Sequence, residues 1–184
     1  AAPARTQAVH LSLPLDQIID TQQFPIDDPG FQAQCRNALD SEGVLSLPGL
    51  LLPETLQALG LEAEAGEGSA FFASSSHNVY LTPSDPALGE DHVFNRQIVS
   101  TKGCICDDQV QEESALRQLY NSPVFKAFLC AVLGERALFP YADPLSSINI
   151  HYAPEGKELG WHFDNSAFAI TRLLQGPTGG GVYE

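Results

Sequence analysis

Apolar side chains recur at helical spacing in FQAQCRNALDSEG, where Phe31, Cys35 and Leu39 fall at i, i+4 and i+8 and Gly43 suits a C-terminal cap. Ahead of this segment, residues 1–30 are Pro-rich and polar between short apolar groups, and DDPG at Asp27–Gly30 signals a turn. GVLSLPGLLL (Gly43–Leu52) predicts a short strand interrupted by a Pro-Gly turn. PETLQALGLEAEAG (Pro53–Gly66) predicts a helix, with proline in the first turn, an early Glu54 and a terminal glycine. From Gly66 to Asp91 the chain reads as loop, with SHNVYLTP its one ordered-looking segment, and VFNRQIVS (Val93–Ser100) predicts a strand. The run Asp107–Glu135 predicts two helices. The first ends near Asn121, and the second begins at Ser122-Pro123 and buries Phe125, Phe128, Leu129, Val132 and Leu133.

Beyond these helices the pattern changes. SSINIHYAP (Ser146–Pro154), LGWHFD (Leu159–Asp164), FAITRLLQ (Phe168–Gln175) and GGVYE (Gly180–Glu184) are β-rich runs separated by Gly/Pro turns. Helices come first and a sheet begins late, an α+β order. No internal repeat or low-complexity tract interrupts it.

A length of 184 residues fits a single domain spanning 1–184, and 43% hydrophobic residues are enough for a buried core. With 9 Lys+Arg against 23 Asp+Glu the formal net charge is -14, which repels phosphate backbones and anionic membranes. No run approaches the ~20 apolar residues of a membrane span. The start, AAPARTQAVHLSLPL, lacks a sustained apolar region and is a weak signal-peptide candidate. Four scattered cysteines (Cys35, Cys104, Cys106, Cys130) do not form a disulfide framework, so the expectation is reduced thiols in a cytoplasm. The absence of methionine predicts a processed or trimmed N-terminus.

Chemistry concentrates in GWHFD. On a strand, His162 and Asp164 point one way while Trp161 and Phe163 point the other. An imidazole and a carboxylate on one face can take adjacent positions on a metal; a third His from elsewhere would complete the 2-His-1-carboxylate triad of non-haem Fe(II) oxygenases. A bare H-x-D also fits a strand-edge histidine paired with solvent or with its own aspartate. Asn149 and His151 likewise share a face on the preceding predicted strand. Arg172 is unexpected among Phe168, Ile170 and Leu174, because an unpaired buried guanidinium is costly; that face must be open to water or meet a carboxylate. Cys104 and Cys106 with His92 suggest half a zinc site, although structural zinc favours closer C-x₂₋₄-C pairs and loop cysteines explain them better. His10 and His77 read as surface or loop-packing residues.

NIHYAPEGKELGWHFDNSAFAITRLLQGPTGGGVYE resembles the iron(II)/2-oxoglutarate-dependent oxygenase superfamily, especially the bacterial branch near free-amino-acid hydroxylases and halogenases. The likeness extends to GVLSLPGLLLPETLQALGLEAEA, HNVYL, ALRQLYNSPVFKAFLCAVLGE and YADPLSSINIHYA. It implies a double-stranded β-helix, a jelly roll of the cupin kind, with the N-terminal helices packed on one sheet. It implies that His162 and Asp164 are two iron ligands, and that Asn149 and His151 contact the co-substrate 2-oxoglutarate. His151 stands where other branches carry Tyr, and a cross-strand polar contact and a substitute third ligand are its alternative readings. A carboxylate at Asp164 occupies the position that halogenating relatives leave to halide, so the implied reaction is hydroxylation of a small polar metabolite, a free amino acid or a derivative. Asn165 is a candidate substrate contact at the mouth of the site, or a turn residue at the strand end. Arg96 is a candidate carboxylate-binding group, or an ordinary surface cation.

The resemblance further implies a distal His and an Arg for 2-oxoglutarate on strands beyond GGGVYE, so the barrel is expected to be incomplete in these residues. Two other expectations follow. One is a truncated homologue without catalysis, serving as a binding or scaffold subunit that pairs its open strand edges with a second copy or a complementing chain. The other is a zinc module built on Cys104, Cys106 and a His.

Overall fold

The computed structural model describes residues 13–143, 145–164 and 166–179. The chain divides into two compact units, one formed by residues 1–59 and 107–148 and the other by 60–106 and 149–184. The fold is mixed helix and sheet, compatible with an α+β class.

The first unit is helical. Helix α1 (Pro29–Glu42) starts where Asp28 Oδ1 accepts the Phe31 N–H at 2.7 Å, and it ends at Gly43 in the left-handed conformation (φ 73°). Helix α2 (Pro53–Gly66) begins in this unit, and its buried Thr55 hydroxyl donates to the Gln17 carbonyl. Helices α3 (Ala115–Asn121) and α4 (Pro123–Leu133) meet at Ser122, whose hydroxyl accepts the Phe125 N–H, and α4 closes on left-handed Gly134. All four helices occur where the apolar periodicity and end signals predict them. The core forms where α1 packs on α4: Phe128 stacks on Phe31 at 6.1 Å and on Phe125 at 6.2 Å. Ile18, Ile19, Phe24, Ile26 and Leu51 are buried with them. Arg117 closes the 107–111 loop, pairing with Asp107 at 2.5 Å and donating to the carbonyls of Asp107, Val110 and Gln111.

The second unit is built on an antiparallel sheet in the order β1-β2-β3, from β1 (Phe71–His77), β2 (Ile98–Cys106) and β3 (Asn149–Tyr152). The register pairs His77 with Ile98, Ser75 with Ser100, Cys104 with His151 and Cys106 with Asn149. Side chains alternate along a strand, so the two sheet faces differ sharply. Gly103, Ile105, Ile150 and Tyr152 share one face, and the C-terminal part of α2 covers it: Tyr152 donates its hydroxyl to the Ala63 carbonyl at 2.7 Å. A Cβ on Gly66 would lie 3.0 Å from Ile105. The other face carries His77, Ser100, Lys102, Cys104, Cys106, Asn149 and His151. The first face packs on α2; the second is mostly polar, covered by Gly160 at its Ile98–Ser100 end and exposed at Asn149 and His151.

Several strands differ from expectation. Gly43–Leu52 forms a turn with a single bridge, Leu51 to Ile19, because Pro48-Gly49 breaks the run (Gly49 φ 85°). The expected strand at Val93–Ser100 starts five residues later, since Asn95 is buried as the hub of a turn, bonding Asp85, Leu88 and Gly89. Strand β1 lies inside the segment read as loop, and the cysteines read as loop residues sit on β2. Of Ser146–Pro154, only Asn149–Tyr152 is strand. Leu159–Asp164 and Phe168–Gln175 are not strands. The former meets β2 and Val79 through isolated hydrogen bonds, without the repeating ladder a strand needs, and the latter makes no backbone pairing among the described residues. The run Gly180–Glu184 lies outside the described residues. Arg172 is exposed, so the expected buried guanidinium does not occur, although partial desolvation still lowers its pKa from the ordinary value.

Candidate functional site

The open face of the sheet and the segment that follows β3 together build the site. After Tyr152 the chain turns through residues 153–157, with Gly156 at φ 75°, and rejoins the free part of β2. The Thr101 N–H donates to the Glu158 carbonyl at 2.8 Å, and the Gly160 N–H donates to the Ser100 hydroxyl at 2.8 Å. Gly160 is buried and lies flush against β2: a Cβ there would stand 2.5 Å from Ile98 Cγ2 and 3.1 Å from Ser100 Oγ. A side chain at position 160 is therefore excluded on steric grounds.

The loop after β1 grips the same segment. Asn78 is buried, and its Oδ1 accepts the N–H groups of Tyr80 and Thr82, holding a tight turn in which Leu81 takes φ 54°. The Val79 carbonyl accepts the Phe163 N–H at 2.8 Å, and the Phe163 ring stacks on Tyr80 at 5.6 Å, which in turn stacks on Phe94. Phe163 is thereby held on one side, and its neighbours His162 and Asp164 turn to the other. The two side chains meet, His162 Nε2 standing 3.2 Å from Asp164 Oδ1. The alternation expected of a strand thus persists in a segment that is not one.

The tautomer of His162 follows from its other nitrogen. Nδ1 is 2.8 Å from the Gly160 carbonyl, and a carbonyl can only accept, so Nδ1 carries the proton. Nε2 of the neutral ring then presents its lone pair to a carboxylate oxygen. Two acceptors face each other, which is favourable only with a second proton on the ring or a cation between them. Two ligands at roughly 2.1 Å from one octahedral ion and at right angles stand roughly 3.0 Å apart, close to the observed separation. An Nδ1–H held by a backbone carbonyl is also the usual outer support of a metal-bound histidine. The 3.2 Å separation is compatible with two adjacent ligands of a small divalent cation and equally with an imidazolium–carboxylate hydrogen bond. Among the described residues, no group of three or more His, Cys, Asp or Glu side chains is arranged to hold a metal.

The expected co-substrate residues lie on the open face of β3. Asn149 and His151 are both exposed, directly across from Cys106 and Cys104, and the Cys104 thiol donates to Asn149 Oδ1 at 3.4 Å. Burial pushes the Cys104 pKa up to about 11, reinforced by the adjacent Cys106 and opposed by Lys102. This thiol therefore stays protonated at neutral pH in the metal-free protein. Arg96 is exposed in the turn before β2, where its N–H bonds the His92 carbonyl, and no contact brings its guanidinium to His162 or Asp164. Asn165 lies outside the described residues.

His151 supplies a pH dependence. Its pKa is lowered from the usual 6.5, first by the protein packed around its ring and second by the Lys102 ammonium. The unfolded chain therefore binds the extra proton more readily. The related stability is fully present above about pH 6.5 and is lost as the pH falls through the folded-state value. Melting temperatures from pH 7.5 down to pH 5 should fall more steeply in the wild type than in His151→Gln; equal slopes would count against this.

Three further residues complete the arrangement: Ser100 and Gly160, which the sequence does not single out, and His77, expected at the surface or in loop packing but half-buried at the end of β1. His77 at the end of β1 places its ring edge-on to that of His162, with centroids 5.8 Å apart. Its Nδ1 donates to the Asn78 carbonyl at 3.0 Å, so its Nε2 accepts the Ser100 hydroxyl proton at 2.6 Å. Ser100 in turn accepts the Gly160 N–H. A Ser–His contact of this kind can mark a nucleophile, but Ser100 is 6% exposed and its oxygen already accepts from Gly160, so it is a structural hydroxyl. The signal for these residues is their three-dimensional convergence.

Comparison with family models gives no match to this chain, and comparison with curated proteins gives none either. Among the described residues, no helix is long and apolar enough to cross a membrane.

Proposed function

We propose that this chain belongs to an Fe(II)/2-oxoglutarate-dependent dioxygenase that hydroxylates a small polar metabolite, a free amino acid or a derivative, on a double-stranded β-helix. The observation that carries the reading is the convergence of the His162 lone pair and the Asp164 carboxylate at the spacing of adjacent metal ligands, with Nδ1 of His162 committed to Gly160. His162 and Asp164 would hold the iron. Asn149 and His151, on the open face of β3, would contact 2-oxoglutarate. Iron with 2-oxoglutarate and O₂ supplies the oxidation of an unactivated C–H bond, yielding succinate and CO₂. The residues of the chain fix the ligands in place, keep the histidine in one tautomer and present a polar face to an anionic co-substrate. Asn165 and Arg96 remain candidates for the substrate itself. The substrate class rests on resemblance to the family.

The test is succinate formation from 2-oxoglutarate with Fe(II), ascorbate and a panel of free amino acids. Turnover stimulated by one amino acid and abolished in His162→Ala supports the proposal. Absence of Fe(II) binding by anaerobic equilibrium dialysis would sink it.

One observation favours a second reading, a scaffold that completes its sheet with another chain. In the second unit only Ile105 and Ile150 are buried hydrophobic residues among those described, whereas Phe71, Phe72, Trp161, Phe163 and Ile170 are exposed. Strands β1 and β3 also each leave one edge without a ladder partner among the described residues. Strand pairing would appear as a concentration-dependent dimer in sedimentation velocity.

A further inference from the structure

We propose that Ser100 and His77 are positioning residues for His162, acting through the backbone of Gly160; the metal-binding consequence rests on the reading above, the tautomer consequence does not. The chain of hydrogen bonds runs in one direction. The Asn78 carbonyl accepts from His77 Nδ1, which leaves His77 Nε2 as an acceptor. That nitrogen takes the Ser100 hydroxyl proton at 2.6 Å and thereby fixes the rotation of the hydroxyl. The Ser100 oxygen then has a lone pair aimed at the Gly160 N–H, which it accepts at 2.8 Å. The Gly160 carbonyl, anchored by that bond on the same residue, accepts from His162 Nδ1 at 2.8 Å.

Each link excludes an alternative. Ser100 is buried, so water does not compete for its hydroxyl. Gly160 has no side chain, so its backbone reaches the floor formed by Ile98 and Ser100. The His77 ring, nearly perpendicular to that of His162 at 80°, limits its swing. The outcome is a histidine held with Nδ1 protonated and Nε2 free beside Asp164. His77 and Ser100 lie 23 residues apart on paired strands, and Gly160, through which both act, lies 60 positions beyond Ser100.

The experiment compares the wild type with Ser100→Ala and Ser100→Thr, the latter restoring a hydroxyl. Calorimetric titration with Mn(II) is expected to show roughly ten- to hundredfold weaker binding in Ser100→Ala, the effect typical of losing outer support of a metal-bound histidine, and recovery in Ser100→Thr. Long-range ¹H–¹⁵N spectra of the metal-free protein should show His162 as a single Nδ1–H tautomer in the wild type and as a mixture in Ser100→Ala. A merely structural serine would change the melting temperature but not the tautomer. If the wild type binds no Mn(II), the functional reading fails, and the spectra alone decide the positioning role. If Ser100→Ala does not fold by circular dichroism, His77→Phe keeps a ring but removes the acceptor, and the same tautomer mixing is expected of it. An unchanged single tautomer in a folded variant overturns the proposal.

Discussion

Phe128→Ala is expected to cost about 3–5 kcal/mol, the range for truncating a buried phenylalanine. Set against a total stability of roughly 5–15 kcal/mol for an ordinary domain, this would leave the helical unit marginal or unfolded. Phe128 is 2% exposed and lies where α4 packs on α1, stacked with Phe31 at an interplanar angle of 15° and with Phe125 at 30°. Removing the ring deletes both aromatic contacts and leaves a cavity that the two helices cannot fill without shifting. Phe128→Leu keeps most of the volume and should cost less than about 2 kcal/mol. Urea titration followed by helical circular dichroism separates the two variants. A loss below about 1 kcal/mol for Phe128→Ala would mean that the α1–α4 contact is not the centre of the core.

Helices and strands differ in how far they are legible in the sequence, and the reason is where their information lies. Helices α1 and α4 are specified by their own residues and immediate flanks: Asp28 and Ser122 cap the starts, Pro29 and Pro123 occupy first turns, and Gly43 and Gly134 supply the left-handed ends. Strand β1 has no such signature. FFASSSH is serine-rich and wholly at the surface apart from His77, and it is a strand because β2, some twenty residues further on, offers it a ladder. The reverse error occurs at Phe168–Gln175, whose alternation reads as a strand but which finds no partner among the described residues. Local propensity proposes a strand, and only a neighbour makes one.

The site divides along the same line. His162 and Asp164 are close in sequence and were legible as a pair, whatever the backbone between them does. His77, Ser100 and Gly160 are ordinary residues until β1 pairs with β2 and the turn after β3 returns the chain to Ser100. No spacing rule connects them.

Asp164→Asn separates a cation site from a simple His–Asp contact, because its two consequences have opposite signs. The substitution keeps the shape of the side chain and exchanges a carboxylate oxygen for an amide that can donate. That N–H can meet the Nε2 lone pair of His162, now 3.2 Å from an acceptor. The metal-free variant should therefore melt at or slightly above the wild-type temperature. Its response to Mn(II) should be nearly lost, since a neutral amide is a poor ligand for a hard divalent ion. A ligand that binds only the folded state at about 100 times its Kd adds about 2.7 kcal/mol, and a hundredfold weaker ligand at the same concentration adds about 0.4 kcal/mol. Thermal melts of both proteins with and without Mn(II) read all four states. If His162 and Asp164 instead form only an ion pair, the wild type will not respond to Mn(II) and the asparagine variant will be the less stable protein, because the charge that held the protonated ring is gone.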